Sequence, residues 1–571
     1  MKYKSFIASV ATIAFAFSIQ PAEAVTPSDI GAIVDIVSES TNDYIENYQL
    51  LDFGSGNIGS IYIENNLYKI KTSFDSGKTW SEAFDLTNAT DPFRSPIFEV
   101  LNNTQFIMLW SEGWNTYDDY LSAVFTVSPT GITKSDTVTV YVNDNINRQI
   151  LMYSQGYVIV GDGAIYLYLG IMDYMDYSNP NSVWEFTSLD NGATWTKTAE
   201  VMTAATNMQG SVANAKYMGA GKRVVLMTGR TYAQNDARTL LRYFDGTSWQ
   251  TLLEDPAENY RTYFVEPTKN GAGLVVVGYN NAGIFDVATY VWTDMTSAPL
   301  VTLKHNEAYA EVYAVSSDGD SRIAMTYVDK ANGQNFYGAR SVETEISTDA
   351  GVTWTNVVHD TVDDAIPAQD MRLYGSFVLV GDNNQIITSY AYNTATMDGF
   401  TVKFVTSNDN GQTWSEPVVV IDGMVNDNWS EQFTWSKGGD AYYSFTKAFD
   451  LANNYYSVPA IITIKGAPAL PEKTTYKQQF KYKKFSMWST EKAALREWAN
   501  LFPDGTDFVV TAPNYTKVNQ KIAAARSLAR ANAVAKVLRN CGLDVTVVKG
   551  RLVKKIHPSA GRQVIARLAT K

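Results

Sequence analysis

From about residue 48 onward the chain alternates short apolar runs with polar turns. Arg94-Ser-Pro-Ile-Phe-Glu-Val-Leu101 leads into Phe106-Ile-Met-Leu-Trp110, Gln149-Ile-Leu-Met-Tyr153 into Ala164-Ile-Tyr-Leu-Tyr168, and Met371-Arg-Leu-Tyr374 into Gln385-Ile-Ile-Thr-Ser-Tyr390. Related openings stand near Met208, Arg261, Glu311 and Gln432. Runs of four to seven residues bounded by Gly, Asn and Asp are too short for helices and read as strands. The pattern changes after residue 466. There Leu495, Trp498 and Leu501/Phe502 fall at helical spacing behind Ser489, a second helix is predicted from about Val518 to Asn540, and Gly542 ends it. Strands are expected at Phe480–Phe485, Asp507–Thr511, Leu543–Val548 and Arg562–Leu568, giving a β-α-β-α-β-β order.

One octapeptide punctuates the strand-rich part. Ser73-Phe-Asp-Ser-Gly-Lys-Thr-Trp80 returns as Ser188-Leu-Asp-Asn-Gly-Ala-Thr-Trp195, Ser347-Thr-Asp-Ala-Gly-Val-Thr-Trp354 and Ser407-Asn-Asp-Asn-Gly-Gln-Thr-Trp414. A short Asp that bonds nearby amides, followed two places on by a Gly free to take positive φ, closes a tight hairpin. The Trp then offers a large apolar area to a neighbouring unit. The four Asp positions are separated by 115, 159 and 60 residues, close to two, three and one multiples of a unit in the mid-fifties. Degraded copies fill the gaps at Thr126-Val-Ser-Pro-Thr-Gly131, at Phe244-Asp-Gly-Thr-Ser-Trp249, one residue short, and at Trp292-Thr-Asp-Met-Thr296. Repeats of this length made of short strands indicate radial four-stranded blades.

The octapeptide resembles the Asp box of sialidases and other Asp-box (BNR-repeat) β-propellers. The resemblance implies an all-β propeller over residues 25–465, and the repeat count favours seven blades, with six or eight also compatible. Strands between Tyr48 and Leu86 are expected to complete the ring by pairing with the last C-terminal ones. In the family the boxes lie on the outer rim, so Asp75, Asp190, Asp349 and Asp409 are read as turn-builders rather than catalytic groups.

Charge separates the two parts. Residues 466–571 hold 20 Lys+Arg against 6 Asp+Glu, leaving 26 against 53 before them. The break falls at Gly466-Ala-Pro-Ala-Leu-Pro471, so 466–473 is read as a linker and 474–571 as a separate basic domain. Lys2 and Lys4 ahead of an apolar run from Phe6 to Phe17, then Ala22-Glu-Ala24, have the form of a signal peptide over residues 1–24. That predicts export, with a periplasmic, envelope-associated or extracellular location and no transmembrane segment after cleavage. Cys541 is a single cysteine, which excludes an internal disulfide. His305, His359 and His557 are read as surface or packing residues, and no motif calls for a metal or a cofactor.

Four blade openings carry arginine: Arg94, Arg148, Arg261 and Arg372, of ten arginines before residue 466. Guanidinium groups converging on a channel mouth suit a carboxylate or sulfate, because Arg stays charged and offers a planar fork of donors. Phe93-Arg94-Ser95-Pro96 resembles the arginine motif of sialidases, with Ser in place of Ile. That likeness implies an acid/base Asp about two dozen residues on, where Asp118 and Asp119 stand. Glu258 is the available Glu near Arg261, and Tyr390, Tyr392, Tyr442 and Tyr443 are candidate nucleophiles for the same chemistry.

The C-terminal part resembles the OmpA-like peptidoglycan-associating domain, through Arg526-Ser-Leu-Ala-Arg530-Ala-Asn-Ala-Val534 and the run on to Gly542, and through Gly561-Arg562 with Ala566-Arg567-Leu568. The resemblance places Arg530 on a peptide-stem carboxylate. Ala512 stands where the family has an Asp that holds the stem's ammonium. Three functions remain open: a glycan-binding protein anchored to peptidoglycan or another anionic envelope polymer, a sialidase-like exoglycosidase, and a structural envelope or virion component. The charge of the basic domain would also suit nucleic acid, but predicted export argues against that partner.

Overall fold

Where strands are short and successive, each can pair only with its sequence neighbour, and the chain does this eight times before residue 465. A computed structural model describes residues 30–568 apart from 38–44, 66, 88–92, 113–118, 144–147, 151–155, 174–181, 204–207, 232–236, 256–259, 281–286, 306–310, 331–338, 362–371, 382–383, 394–399, 425–431, 436–439, 452–453, 466–474, 481–486, 488, 500–506, 516–519, 540–543 and 554–562. The chain divides into two units, Met1–Gly466 and Ala467–Lys571.

In the first unit the described residues form eight antiparallel meanders. Their first strands are Ile45–Gly54, Phe93–Asn102, Arg148–Ile150 continued by Tyr157–Gly161, Met208–Gly219, Tyr260–Thr268, Glu311–Ser317, Arg372–Val380 and Gln432–Trp435, and they define sheets 1 to 8. Each first strand packs against that of the next sheet, and the eighth packs against the first. The sheets therefore close a ring, a β-propeller with its first strands nearest the axis.

The seven units favoured from the repeat are one fewer than these eight sheets. Residues 45–85 do not share a sheet with the C-terminal strands as expected; they form sheet 1 by themselves. Closure is made by Val34–Asp35 on Asn454–Ile464, with Ile30 bridging to Ile464. Two paired residues leave no periodic trace in a sequence, which is why the seam was misplaced. The units around residues 245 and 294 stay separate, as sheets 4 and 5.

The full boxes explain the ring's cohesion. Each joins the third strand to the fourth, with Ser76, Asn191, Ala350 and Asn410 at φ between 58° and 62° and the following glycines between 79° and 87°. Within each turn the Asp accepts from the Thr amide at 2.8–2.9 Å and from the Thr hydroxyl at 2.6–2.7 Å. The Ser hydroxyl accepts from the Gly amide at 2.8–2.9 Å. The Gly so held lies against the preceding sheet: Gly192 faces Ile107 and Val124 of sheet 2, and Gly351 faces Val275 and Val291 of sheet 5. The Trp follows it across the joint, Trp195 donating to Ser122 Oγ at 3.0 Å and Trp354 to Thr302 Oγ1 at 3.2 Å.

The second unit holds helices Ser489–Ala499 and Gln520–Arg539 and four strands in the order Thr475–Gln479, Gln563–Leu568, Asp507–Tyr515, Asp544–Val553. In the strand Thr475–Gln479, Tyr476 packs its ring 5.2 Å from that of Trp498, and Phe480 is buried just beyond the strand end; the rest of the strand expected over Phe480–Phe485 lies outside the described residues. Among the described residues no helix is long and apolar enough to cross a membrane.

A β-carbon at position 351 would sit 2.7 Å from Val275 Cγ2 on a backbone at φ +87°. Gly351→Ala is therefore expected to lower stability by about 2–4 kcal/mol, read as an earlier urea transition in tryptophan fluorescence. Val352→Ala, at an exposed neighbour, should leave the midpoint nearly unchanged.

Candidate functional site

A meander fixes which residues share an end of the ring. With the first strands all running alike, their starts, the second-to-third turns and the crossings between sheets lie at one mouth. The first-to-second and third-to-fourth turns lie at the other. Backbone bonds tie the latter together, Ser76 N to Gly56 O at 2.9 Å, Ala350 N to Ser321 O at 2.8 Å and Asn410 N to Asn384 O at 3.0 Å. The boxes thus occupy the mouth opposite the first-strand starts.

Their carboxylates suit a structural role. Burial by itself would raise Asp75, Asp349 and Asp409, but the hydrogen bonds they receive outweigh it and hold all three below the ordinary range. At Asp190, bonds from Thr194 do the same. Such groups stay ionised and are poor proton donors at neutral pH.

The four arginines fall at the other mouth. Arg148 and Arg372 begin the first strands of sheets 3 and 7, and Arg94 and Arg261 stand second in those of sheets 2 and 5. Arg94 pairs with Ser111, Arg148 with Asp173 and Arg372 with Asn393, whereas Arg261 sits at a register shift between Tyr260 and Thr262. Their side chains lie outside the described residues, as do Asp118 and Glu258.

Asp119 is described and lies at the same mouth, ahead of Tyr120–Ser128. Its Oδ1 accepts the Asn143 amide at 2.9 Å, so one carboxylate oxygen anchors the end of a neighbouring strand. The tyrosines are less available. Tyr442 and Tyr443 are fully buried, and Tyr390 is buried with its hydroxyl on Asp360 Oδ2 at 2.9 Å. The side chain of Tyr392 lies outside the described residues.

His359 behaves as a packing residue: burial lowers it to about 4, its Nε2 is 2.8 Å from Thr344 Oγ1, and its ring stands edge-on to Trp414 at 4.4 Å. The His305 side chain and His557 lie outside the described residues. In the second unit Arg530 is 7% exposed, with its guanidinium 6.0 Å from the Phe480 ring centroid. No group of three or more His, Cys, Asp or Glu among the described residues is placed to hold a metal.

Two charged groupings were not singled out from the sequence. Glu185 of sheet 3 and Arg223 of sheet 4 are buried and paired twice, at 2.7 and 2.8 Å, with Tyr168 and Thr198 donating to the same carboxylate. On first strands, Glu99, Tyr157, Lys216 and Glu266 interact across sheets 2 to 5, with Lys216 Nζ 3.0 Å from Glu266 Oε1. The available signal was a charge within an apolar run, as at Glu99 between Phe98 and Val100.

Glu99 is largely enclosed by protein. Burial raises it to about 7, with Lys216 pulling the other way. Because the folded value lies above the unfolded one, its proton stabilises the fold at low pH, and that contribution is lost as pH rises from about 4.5 to 7. Glu99→Gln is expected to be more stable than the parent by about 3 kcal/mol at pH 8 and equal to it near pH 4, by urea titration at the two pH values.

No family model matches the chain, and no curated protein does. Solved structures do. A Penicillium chrysogenum α-L-arabinanase complexed with arabinobiose is 12% identical over 56% of this chain and 97% of its own, TM-score 0.33. A Fusarium graminearum GH93 α-L-arabinofuranosidase with arabinobiose is 12% identical over 76% and 98%, TM-score 0.33. A Trypanosoma rangeli sialidase with the inhibitor DANA is 11% identical over 74% and 72%, TM-score 0.32. Likeness of this degree assigns no activity to the chain.

Proposed function

We propose that the protein is an exported eight-bladed propeller whose arginine-bearing mouth recognises an anionic glycan. Its C-terminal OmpA-like α+β domain holds it to peptidoglycan or another anionic envelope polymer. The observation that carries the reading is the placement of Arg94, Arg148, Arg261 and Arg372 at the starts of four first strands, all at the mouth away from the boxes. Fixed cations at a mouth of an otherwise acidic body mark where a carboxylate or sulfate is bound rather than repelled.

The enzyme reading rests on Asp119 at that same mouth, with Asp118 beside it and Glu258 in the crossing to sheet 5. Asp119 already bonds Asn143 N, so in that reading Asp118 takes the proton-transfer role. Binding to glycans ending in a carboxylate sugar is expected to fall roughly 10- to 100-fold in Arg94→Ala and in Arg372→Ala, the loss of one charge-assisted hydrogen-bonding group, measured on a glycan array and by calorimetry. Hydrolysis of a fluorogenic sialoside that disappears in Arg94→Ala would replace recognition by exoglycosidase activity. Absence of both signals would leave a structural envelope component.

For the second unit, co-sedimentation with purified peptidoglycan is expected to fall in Arg530→Ala. Because Arg530 is buried against Phe480, Arg530→Lys is the needed companion: it keeps the charge but not the planar fork. Binding retained at full strength in both variants would refute the carboxylate role of this arginine.

A further inference from the structure

In sheets 1 to 7 the outer strand follows the third strand directly in the chain, through a single turn. In sheet 8 the outer place on Asn454–Ile464 is filled instead by Val34–Asp35, from the other end of the unit. More than 400 residues separate the two, so no hairpin holds them together. The ladder is also short. Val34 pairs with Ile461 and Asp35 with Ala460, extended by Ile36 N donating to Pro459 O at 2.9 Å and Gly31 N to Thr463 O at 2.7 Å. A β-carbon at position 31 would lie 2.9 Å from Thr463 O, so this close approach depends on glycine.

Residues 30–37 act as a wedge as well as a strand. Ile30 and Ile33 pack on the core shared by sheets 7 and 8, while Val34, Ile36 and Val37 pack on the core shared by sheets 8 and 1. Vacating the place would bare apolar wall on both sides of sheet 8 together with the ladder groups of Asn454–Ile464. An extended chain with apolar residues at these positions covers all three at once. An outer strand with so few ladder bonds and no hairpin behind it belongs at the low end of local stability.

We propose that the outer edge of sheet 8 is a strand-accepting site. Residues 30–37 form a strap that leaves as a unit without unfolding the ring, and the vacated edge takes up an extended peptide of the same apolar pattern.

Two experiments on the full chain carrying Cys541→Ser test this. The first compares the rates at which a thiol reagent modifies Ala460→Cys and Ala288→Cys. Both alanines are buried in third strands, one opposite Asp35 of the strap and the other opposite Lys304 of the hairpin-linked outer strand of sheet 5. Ala460→Cys is expected to react about tenfold faster or more, at a rate that low urea leaves nearly unchanged, whereas Ala288→Cys follows global unfolding. In the second, Gly31→Val with Ile36→Pro removes the close approach and one ladder donor, and a fluorescent synthetic peptide of residues 28–37 is titrated in. Native tryptophan fluorescence and saturable binding at micromolar peptide are expected of this variant. The parent should bind none at that concentration, because its own tethered strap competes at an effective concentration of about a millimolar. Equal thiol rates, loss of the native fold in the double variant, or no peptide binding to it would overturn the proposal. So would equal binding of a peptide that itself carries Gly31→Val and Ile36→Pro.

Discussion

The ring depends on one contact made repeatedly: a glycine at positive φ, held by a Ser and an Asp, pressed onto the apolar face of the preceding sheet. A single meander buries only part of its two faces, so no sheet is stable alone. The box converts a hairpin turn into a joint. Its hydrogen bonds stay within one turn, while the Gly and Trp they position reach across. That separation explains why Asp75, Asp190 and Asp349 can be exposed, and Asp409 buried, and all still matter to the joint. They shape the turn, and the burial happens one residue pair away.

The full box serves four joints, into sheets 1, 3, 6 and 7, and other chemistry takes over elsewhere. Into sheet 2 the joint is aromatic, with Phe53 6.2 Å from Phe106, Phe84 edge-on to Phe125 at 6.3 Å and Tyr48 donating to Pro96 O at 2.8 Å. Sheet 4 has a box one residue short. There Arg223 lies 4.0 Å from the Phe244 ring, 4.3 Å from Tyr166 and 5.4 Å from Trp249, and reaches back to Glu185. Removing one member of such a buried pair costs about 3–5 kcal/mol, although an apolar pair of the same volume can do as well. The ion pair is therefore better understood as fixing how sheets 3 and 4 meet than as a large net source of stability. Lys216 and Glu266 join sheets 4 and 5 near the axis, where burial raises the Glu266 carboxyl more than the Lys216 charge lowers it.

What could be read from the sequence follows from this division. Box positions, seven of the eight first-strand starts and the break at Gly466 are local signals, written in a few adjacent residues. Phe93, Met208, Glu311 and Gln432 begin strands in the structure where the texture placed openings. The eighth sheet was misassigned because its evidence is non-local: Val34–Asp35 declares itself only by its partner more than 400 residues away. The inner charges were missed for the same reason. Nothing near Glu99 in the chain shows that Lys216 will approach it, and nothing near Lys216 shows that Glu266 will claim it first.

Residue type and placement therefore have to be weighed separately at the candidate site. Asp119 has the residue type, spacing and mouth that proton transfer would need, yet one of its oxygens is spent on Asn143 N. The arginines face no such conflict. A guanidinium is charged at any physiological pH, so burial and neighbours change its reach and its partners but not its chemistry. Anion recognition therefore follows from where the fold puts these side chains, whereas hydrolysis also needs a carboxyl tuned to keep its proton. The raised carboxyls on the first strands are Glu99 and Glu266, toward the mouth that the arginines do not share.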